Sequence, residues 1–294
     1  MIALVTGGAG VVGKALCREL LARDVCVRVL VLPGDTQAGF LPEGVEVFYG
    51  DVSDLESIRK AFEGVDLVYH LAAILLSTKP GAFERINTDG TRNVVAAARE
   101  AGVKRLLYVS SISVTYPVLT EYGKSKLAGE SCVKESSLEW TIVRPTLVIG
   151  DPVGYGGGIE FNMYANYVRR FPVYFLPGGG KCLKRPVKSV DLVKGIALAG
   201  LSENAVGKTY VLAGEGVLSL AEMAKAVLKL AGMRHWMIPM PWWIAKKLAA
   251  LKSWIGGKPV TAEQALAGFL YDAAPDIENA RVDLGYHPGS PLEI

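Results

Sequence analysis

Tyr122-Gly123-Lys124-Ser125-Lys126 sets a phenol and an ammonium four residues apart. On a helix that spacing places both side chains on one face. A free phenol titrates near 10, so exchanging a proton near neutrality requires its phenolate to be favoured by about 4 kcal/mol. A neighbouring ammonium works in that direction. Ser111 follows the strand-like run Arg105–Ser110. Its hydroxyl could hydrogen-bond an oxygen that alternates between alcohol and carbonyl.

A second set of residues suits phosphates. The opening MIALVTGGAGVVGKA carries Gly8, Gly10 and Gly13 as GxGxxG, and Gly8 to Lys14 as GxxxxGK. The second pattern is most of an ATP-type loop, which needs Ser or Thr after the lysine to hold Mg²⁺. Ala15 stands there and has no oxygen to offer. The dinucleotide pattern has the context it needs, a strand before the glycines and a helical pattern after them. Glycines let the backbone approach a pyrophosphate, and the helix N-terminus supplies N–H donors and partial positive charge. Asp51, in Gly50-Asp51-Val52, could accept from an adenine amino group, and the small residues of His70-Leu71-Ala72-Ala73 would let an adenosine lie across the strand ends. The positive charge of an oxidised nicotinamide would then join Lys126 in favouring the phenolate.

Elements able to position these residues are legible. Apolar, β-branched runs at Ala3–Thr6, Val27–Leu32, Val45–Tyr49, Leu67–Leu71, Arg105–Ser110 and Thr141–Val148 alternate with helical patterns such as Lys14–Arg23 and Thr91–Ala101. Such alternation implies a parallel sheet covered on both faces. After Gly150 the texture changes: GYGGG at 154–158 and PGGG at 177–180 read as loops around an aromatic-rich stretch. Signals at Ser189–Leu201, Thr209–Leu212 and Ser219–Leu230 follow. Residues 1–150 are expected to form a dinucleotide-binding domain and 151–294 a smaller lobe interleaved with it.

The 294 residues are half apolar and 21% charged, with a net charge of +3. That composition fills a core and gives no nucleic-acid surface. Cys17, Cys26, Cys132 and Cys182 form no CxxC pair or His/Cys cluster, so neither a disulfide framework nor a metal site is expected. With no signal-peptide pattern at the N-terminus, the expected compartment is the cytoplasm.

TGGAGVVG, GDV, HLAA, Asn87 in NTDGTRNV, YVSS, YGKSK and VRP occur in the order of the short-chain dehydrogenase/reductase superfamily. The sequence resembles that superfamily along nearly its whole length. The long C-terminal part and the GxxGxxG form at Gly7, Gly10 and Gly13 resemble its extended and atypical branches, which include NAD-dependent epimerase/dehydratases and 3β-hydroxysteroid dehydrogenase-like enzymes. The resemblance implies an α/β fold, a Rossmann-type doubly wound parallel sheet with a smaller C-terminal α/β substrate lobe. It implies Ser111, Tyr122 and Lys126 as a triad, with Asn87 supporting a proton relay. It implies NAD, with NADP as the alternative, held at Gly7, Gly10, Val11, Val12, Gly13, Asp51, Val52, Leu71, Ala72, Ala73, Tyr122, Lys126, Pro145 and Thr146.

Several departures shape the substrate expectation. The ribose-reading acid of the family belongs near Val31 or Leu32; neither is acidic, and Asp35 is the nearest substitute. Ile112-Ser113 follow Ser111 where the dehydratases place Asp-Glu, which disfavours elimination of water. Leu147 stands where nucleotide-sugar epimerases have Asn. Lys184 and Arg185 can still supply cations for a diphosphate, whereas Phe161 and Tyr164, within the aromatic run, suit an apolar alcohol or ketone. A nucleotide sugar and an apolar alcohol both stay open, as does a non-catalytic dinucleotide-binding role. In Trp242–Ile255, Ile244, Leu248, Leu251 and Ile255 share one helical face. The expectation is a core-packed helix; the alternatives are a lid or a helix resting on a membrane with Trp242, Trp243 and Trp254 at the interface. A homodimer through Thr91–Arg99 and Tyr122–Lys134 fits the resemblance.

Overall fold

The computed structural model describes residues 1–150, 158–255 and 262–291. Residues 154–157 of the GYGGG motif and the Trp254 and Ile255 side chains lie outside the described residues.

The chain alternates strand and helix from its first residues. β1 (Ile2–Thr6), α1 (Val11–Leu21), β2 (Cys26–Val31), β3 (Glu46–Tyr49), α2 (Leu55–Ile58), β4 (Leu67–His70), α3 (Gly90–Glu100), β5 (Arg105–Val109), α4 (Glu121–Lys134) and β6 (Glu139–Pro145) form the first half. A two-residue strand, β7 (Val148–Ile149), α5 (Ile159–Arg169), β8 (Val173–Pro177), β9 (Leu183–Lys184) and β10 (Val187–Lys188) follow. α6 (Ser189–Leu201), β11 (Lys208–Leu212), β12 (Leu218–Ser219), α7 (Leu220–Leu230), β13 (Trp236–Met240), α8 (Trp242–Ile255), α9 (Ala262–Leu270) and α10 (Glu278–Leu284) complete it.

Seven strands make one sheet in the order β11-β6-β5-β4-β1-β2-β3, and every pairing in it is parallel. The order reverses between β1 and β4, the place where open α/β sheets bind ligands beyond their strand ends. Central strands are buried on both faces, which is why they read as continuous apolar runs. One core cluster joins α1, α6 and α10 to the sheet, and another packs α3 and α4 against its opposite face. β11 and α6 come from the second half of the chain yet belong to this sheet and its cover. A third cluster, built from α5, β8 and α7, fills the smaller lobe around Val168, Tyr174 and Met223.

The sixth strand ends earlier than its apolar run. Pro145 closes β6, and Val148–Ile149 pairs separately with β10. Proline has no N–H for the ladder, and the Thr146 N–H donates to Leu212 O at 3.1 Å as the chain leaves the sheet.

Candidate active site

The glycine loop joins β1 to α1 and is shaped by close contacts. Gly7 has φ 71°, and a Cβ there would stand 2.8 Å from the Ala72 N. A Cβ on Gly13 would stand 2.3 Å from the Gly7 carbonyl oxygen. Gly10 begins α1 without a side-chain cap, so the first turn presents its N–H groups at Val11, Val12 and Gly13 with no side chain filling the approach. This cradle fits the pyrophosphate of a dinucleotide. Beside it, Leu71, Ala72 and Ala73 continue from β4 and are partly buried, with the Leu71 and Ala72 N–H groups bonded to Thr6.

Farther along the strand ends, Asp51 accepts from the Ser53 N–H at 2.8 Å, and Val52 is buried beside Gly90. Asp35 caps a short 3₁₀ turn, Thr36–Phe40, accepting from the Gln37 N–H at 2.9 Å. Lys14 bends to this turn: its ammonium donates to Gln37 Oε1 at 3.0 Å and lies 5.5 Å from the Phe40 ring centre. A cation thus stands beside the loop after β2 although no basic residue does so in sequence.

Thr120 starts α4, its hydroxyl accepting from the Gly123 N–H at 3.0 Å, which sets Tyr122 in the first turn and Lys126 one turn later. Ser111 follows β5, and its oxygen accepts from the Ser113 N–H and hydroxyl. The structure brings Ser111 and Tyr122 together, and Phe83 packs edge-on to the Tyr122 ring at 6.4 Å. Burial pushes the Tyr122 phenol up and the nearby Glu160 carboxylate adds to this, while the neighbouring Ser111 side chain pulls the other way. Without a cofactor, then, the phenol is held protonated. Lys126 is 2% exposed with its ammonium 4.1 Å from the Tyr108 ring centre. Burial pushes it down to about 7, against the pull of Glu130.

A continuous run of hydrogen bonds ties the glycine loop to α4. The Thr6 hydroxyl meets His70 Nδ1 at 2.7 Å, and His70 Nε2 meets Thr91 Oγ1 at 2.9 Å. Thr91 donates its single proton to the Asn87 carbonyl at 2.6 Å. His70 must therefore carry its proton on Nε2 and accept from Thr6 at Nδ1. Burial, aided by Lys126, pushes His70 down to about 3, so it is neutral in this chain of bonds. Asn87 sits in a π-helical turn (Glu84–Asp89) with no exposure. Its amide bonds both the N–H and the carbonyl of Ile74 and donates to Ser125 Oγ at 3.0 Å. Its side chain is committed to holding the segment after β4 against α4.

Arg144 of β6 grips Glu130 of α4 with two bonds of 2.8 and 2.7 Å, and Ser110 donates to the same carboxylate at 2.6 Å. Burial works against the charged Glu130, but Arg144 and Ser110 hold it below the usual carboxylate range. Pro145 is buried at the strand end, and the Thr146 hydroxyl donates to Arg185 O at 2.5 Å.

The residues expected to meet substrate divide. Lys184 is 4% exposed and donates to Tyr271 O at 2.7 Å. Arg185 donates to Gly214 O at 2.8 Å and Pro275 O at 3.0 Å. Both cations hold backbone carbonyls together. Tyr164 donates to Leu220 O at 2.6 Å inside the small-lobe core, and Phe161 packs against that core. Sequence reasoning missed Glu160, Phe83 and Tyr116. Glu160, at the start of α5, is exposed as a residue, yet burial raises its carboxyl, and it acts electrostatically on Tyr122, Tyr116 and Lys184. Tyr116 stacks at a tilt on Tyr271, 5.7 Å between centres. Only the aromatic density around Glu160 could have signalled these residues.

Comparisons with known proteins agree with a dinucleotide-binding fold. A family model described as NAD(P)H-binding matches residues 7–160. The uncharacterised protein y4nG of Sinorhizobium fredii is 32% identical, over 97% of this chain and 74% of its own length. Subunit 9 of the NADH dehydrogenase 1 alpha subcomplex of Mus musculus is 28% identical over 83% of this chain, which spans 63% of that subunit, less than two thirds of its length. Among solved structures, the UDP-glucuronic acid 4-epimerase of Bacillus cereus, in complex with UDP-glucuronic acid and NAD, superposes with a TM-score of 0.76 over 99% of this chain and 95% of its own, at 21% identity.

Proposed function

This chain belongs to the NAD(P)H-binding family within the extended, atypical branch of the short-chain dehydrogenase/reductase superfamily, and from that premise we propose that it is an NAD(P)-dependent oxidoreductase interconverting an alcohol and its carbonyl. The observation that carries this is the meeting of Ser111 and Tyr122, one turn from Lys126, at the strand ends that also hold the glycine cradle.

Gly7, Gly10, Val11, Val12 and Gly13 would hold the pyrophosphate. Asp51, Val52, Leu71, Ala72 and Ala73 would take the adenosine, Asp35 its ribose, and Pro145 and Thr146 would flank the nicotinamide. The bound cofactor supplies or removes hydride at the substrate carbon. In reduction, Tyr122 gives its phenolic proton to the substrate oxygen, and in oxidation it takes that proton back. Ser111 hydrogen-bonds the same oxygen and fixes its distance from the phenol. Lys126, when charged, favours the phenolate that forms. Asn87 keeps the segment after β4 and helix α4 in register beneath the reacting groups.

An apolar alcohol or ketone suits the surroundings of Tyr122 better than a nucleotide sugar. Lys184 and Arg185 are occupied by carbonyls, and Leu147 offers no donor. Phe83 packs on the Tyr122 ring, and Tyr116, which Glu160 also acts on, pairs with Tyr271. An epimerase on this fold would retain its nicotinamide, so nucleotide released on denaturing the purified protein separates it from a dehydrogenase that exchanges cofactor. The decisive test is oxidation of NADH or NADPH against a panel of bulky ketones. Turnover abolished by Tyr122→Phe, with cofactor affinity kept, supports the proposal. Tight dinucleotide binding with no turnover on any panel member favours the second reading, a dinucleotide-binding structural subunit, to which the likeness to the mouse subunit points.

A further inference from the structure

The small lobe carries a surface that the reaction does not use. β8 and β13 form a two-stranded parallel sheet in which Phe175 pairs with Ile238, and both are exposed. Trp236, two residues before Ile238, is 78% exposed. Between the end of α5 and β8 lies a groove of about 380 Å³, lined by Tyr167, Phe171 and the strand residues 172–175. α8 leaves β13 through Pro241, and the Trp242 indole lies against Gly178 at the end of β8. On this helix Trp243 is 62% and Leu248 54% exposed, and Leu251 is exposed as well. The amphipathic face that predicts a core-packed helix is therefore open at Leu248 and Leu251.

The exposed charges described on this surface are cationic. In sequence, residues 161–190 and 223–262 contain no Asp or Glu and thirteen of the chain's 32 Lys and Arg, of which Lys184 and Arg185 are held on backbone carbonyls rather than on this surface. Arg169, Arg170, Lys229, Arg234 and Lys247 are exposed there. Arg170 lies over the Phe171 ring, and Lys247 lies over the Trp243 ring at 5.4 Å. Exposed aromatics ringed by cations match the headgroup region of an anionic bilayer, where indoles settle at the interface and Lys and Arg meet phosphate. A second copy of the chain would bring like charges together, which disfavours this face as a contact between copies. Among the described residues no helix is long and apolar enough to cross a membrane, so the attachment would lie in the interface plane.

We infer that the face formed by β8, β13, the end of α5 and α8 docks the protein on an anionic lipid surface. α5 carries Glu160 at its first turn and Arg169 at its last, so the lipid would lie about one helix length, roughly 16 Å, from the Tyr122 cleft.

Co-sedimentation of the full chain with vesicles tests this, comparing phosphatidylcholine containing about one-third phosphatidylglycerol with phosphatidylcholine alone. The expected result is binding at least about tenfold stronger to the anionic vesicles, weakened by salt, with quenching of tryptophan emission by brominated lipid. Removing one cation, as in Lys247→Ala, is expected to weaken binding about five-fold. The paired reversals Arg170→Glu and Lys247→Glu should abolish it, with the far-ultraviolet circular dichroism and NADH affinity unchanged. Lipid quenching in the unsubstituted protein reads the same contact without any variant. Absence of anionic-vesicle binding, equal binding to both vesicles, or loss of self-association in the paired variant without a change in vesicle binding would each overturn the inference.

Discussion

Lys126 of the sheet half and Lys184 of the small lobe are both almost fully buried, at 2% and 4% exposure, and burial lowers the pKa of each. Each ammonium lies over a ring, that of Tyr108 or of Tyr116, and they differ in that Lys184 also donates to a backbone carbonyl. Lys184 donates to the Tyr271 carbonyl, 87 residues away in sequence, and so ties β9 to the segment after α9. Lys126 faces the Tyr108 ring one helical turn from Tyr122. A cation bonded to a backbone carbonyl holds the structure together, whereas one resting on a ring face without such a bond remains available to a neighbouring anion. The contrast extends to the arginines. Arg185 bonds two carbonyls in the lobe, while Arg144 grips a carboxylate on the helix that carries Tyr122. In the sheet half, polar groups position the phenol we propose as the proton donor; in the lobe, they position the chain.

The largest expected effect separates these roles. Tyr122→Phe is expected to lower kcat by about 10³-fold, within the usual range for a lost general acid. It should shift the unfolding midpoint by only a few degrees, because losing one hydroxyl hydrogen bond costs about 1 kcal/mol. Steady-state kinetics beside a thermal melt checks both. A variant that keeps its rate would break the comparison at its root.

Lys126 ties charge to stability. Its folded pKa of about 7 lies below its ordinary 10.5, so between those values the unfolded chain binds the extra proton. Stability of the cofactor-free protein should therefore rise with pH across that window. Below about pH 7 the full penalty is present, on the order of a few kcal/mol. Lys126→Met should remove the slope and abolish turnover. Chemical denaturation at several pH values reads the slope directly, and a slope unchanged in the variant would show that another group titrates.

Arg185→Ala should cost about 2 kcal/mol of stability, since it leaves the Gly214 and Pro275 carbonyls without charged donors. KM for an apolar ketone should move little. A large rise in KM for a diphosphate substrate with stability intact would instead return Arg185 to the role its sequence position suggests.

These cases show what was legible. The strands of the sheet could be read as apolar runs because both their faces are covered, and the glycine loop because its crowding forbids a Cβ at Gly7 and Gly13. Tyr122 and Lys126 could be paired because four residues make one helical turn. The fates of Lys184 and Arg185 could not be read. Their acceptors, at 214, 271 and 275, arrive from distant segments. Nor does periodicity say what covers an apolar stripe. The face of α8 through Leu248 and Leu251 has the spacing of a buried helix, and these two residues are open. Asn87 could be singled out by type, but its bonds to Ile74 and Ser125 depend on a π-helical turn with no signature in composition.

The smallest effect concerns Lys14, which the sequence assigns to the glycine loop and the structure carries to the turn after β2. Its ammonium is 3.0 Å from Gln37 Oε1 and near the Phe40 ring, beside Asp35, the nearest acid for a ribose. An acid there favours a ribose with both hydroxyls free, and a cation favours a 2′-phosphate. The two occupy one loop, so preference between NADH and NADPH should be modest. Lys14 is exposed enough for water to screen it, and an exposed charge contact contributes up to about 1 kcal/mol. Lys14→Ala should therefore weaken NADPH about three- to five-fold and leave NADH within two-fold, as read by fluorescence titration of each nucleotide. Asp35→Ala should move the ratio in the opposite sense. If neither substitution shifts the ratio, the turn after β2 does not read the ribose, and the selecting group lies elsewhere along the strand ends.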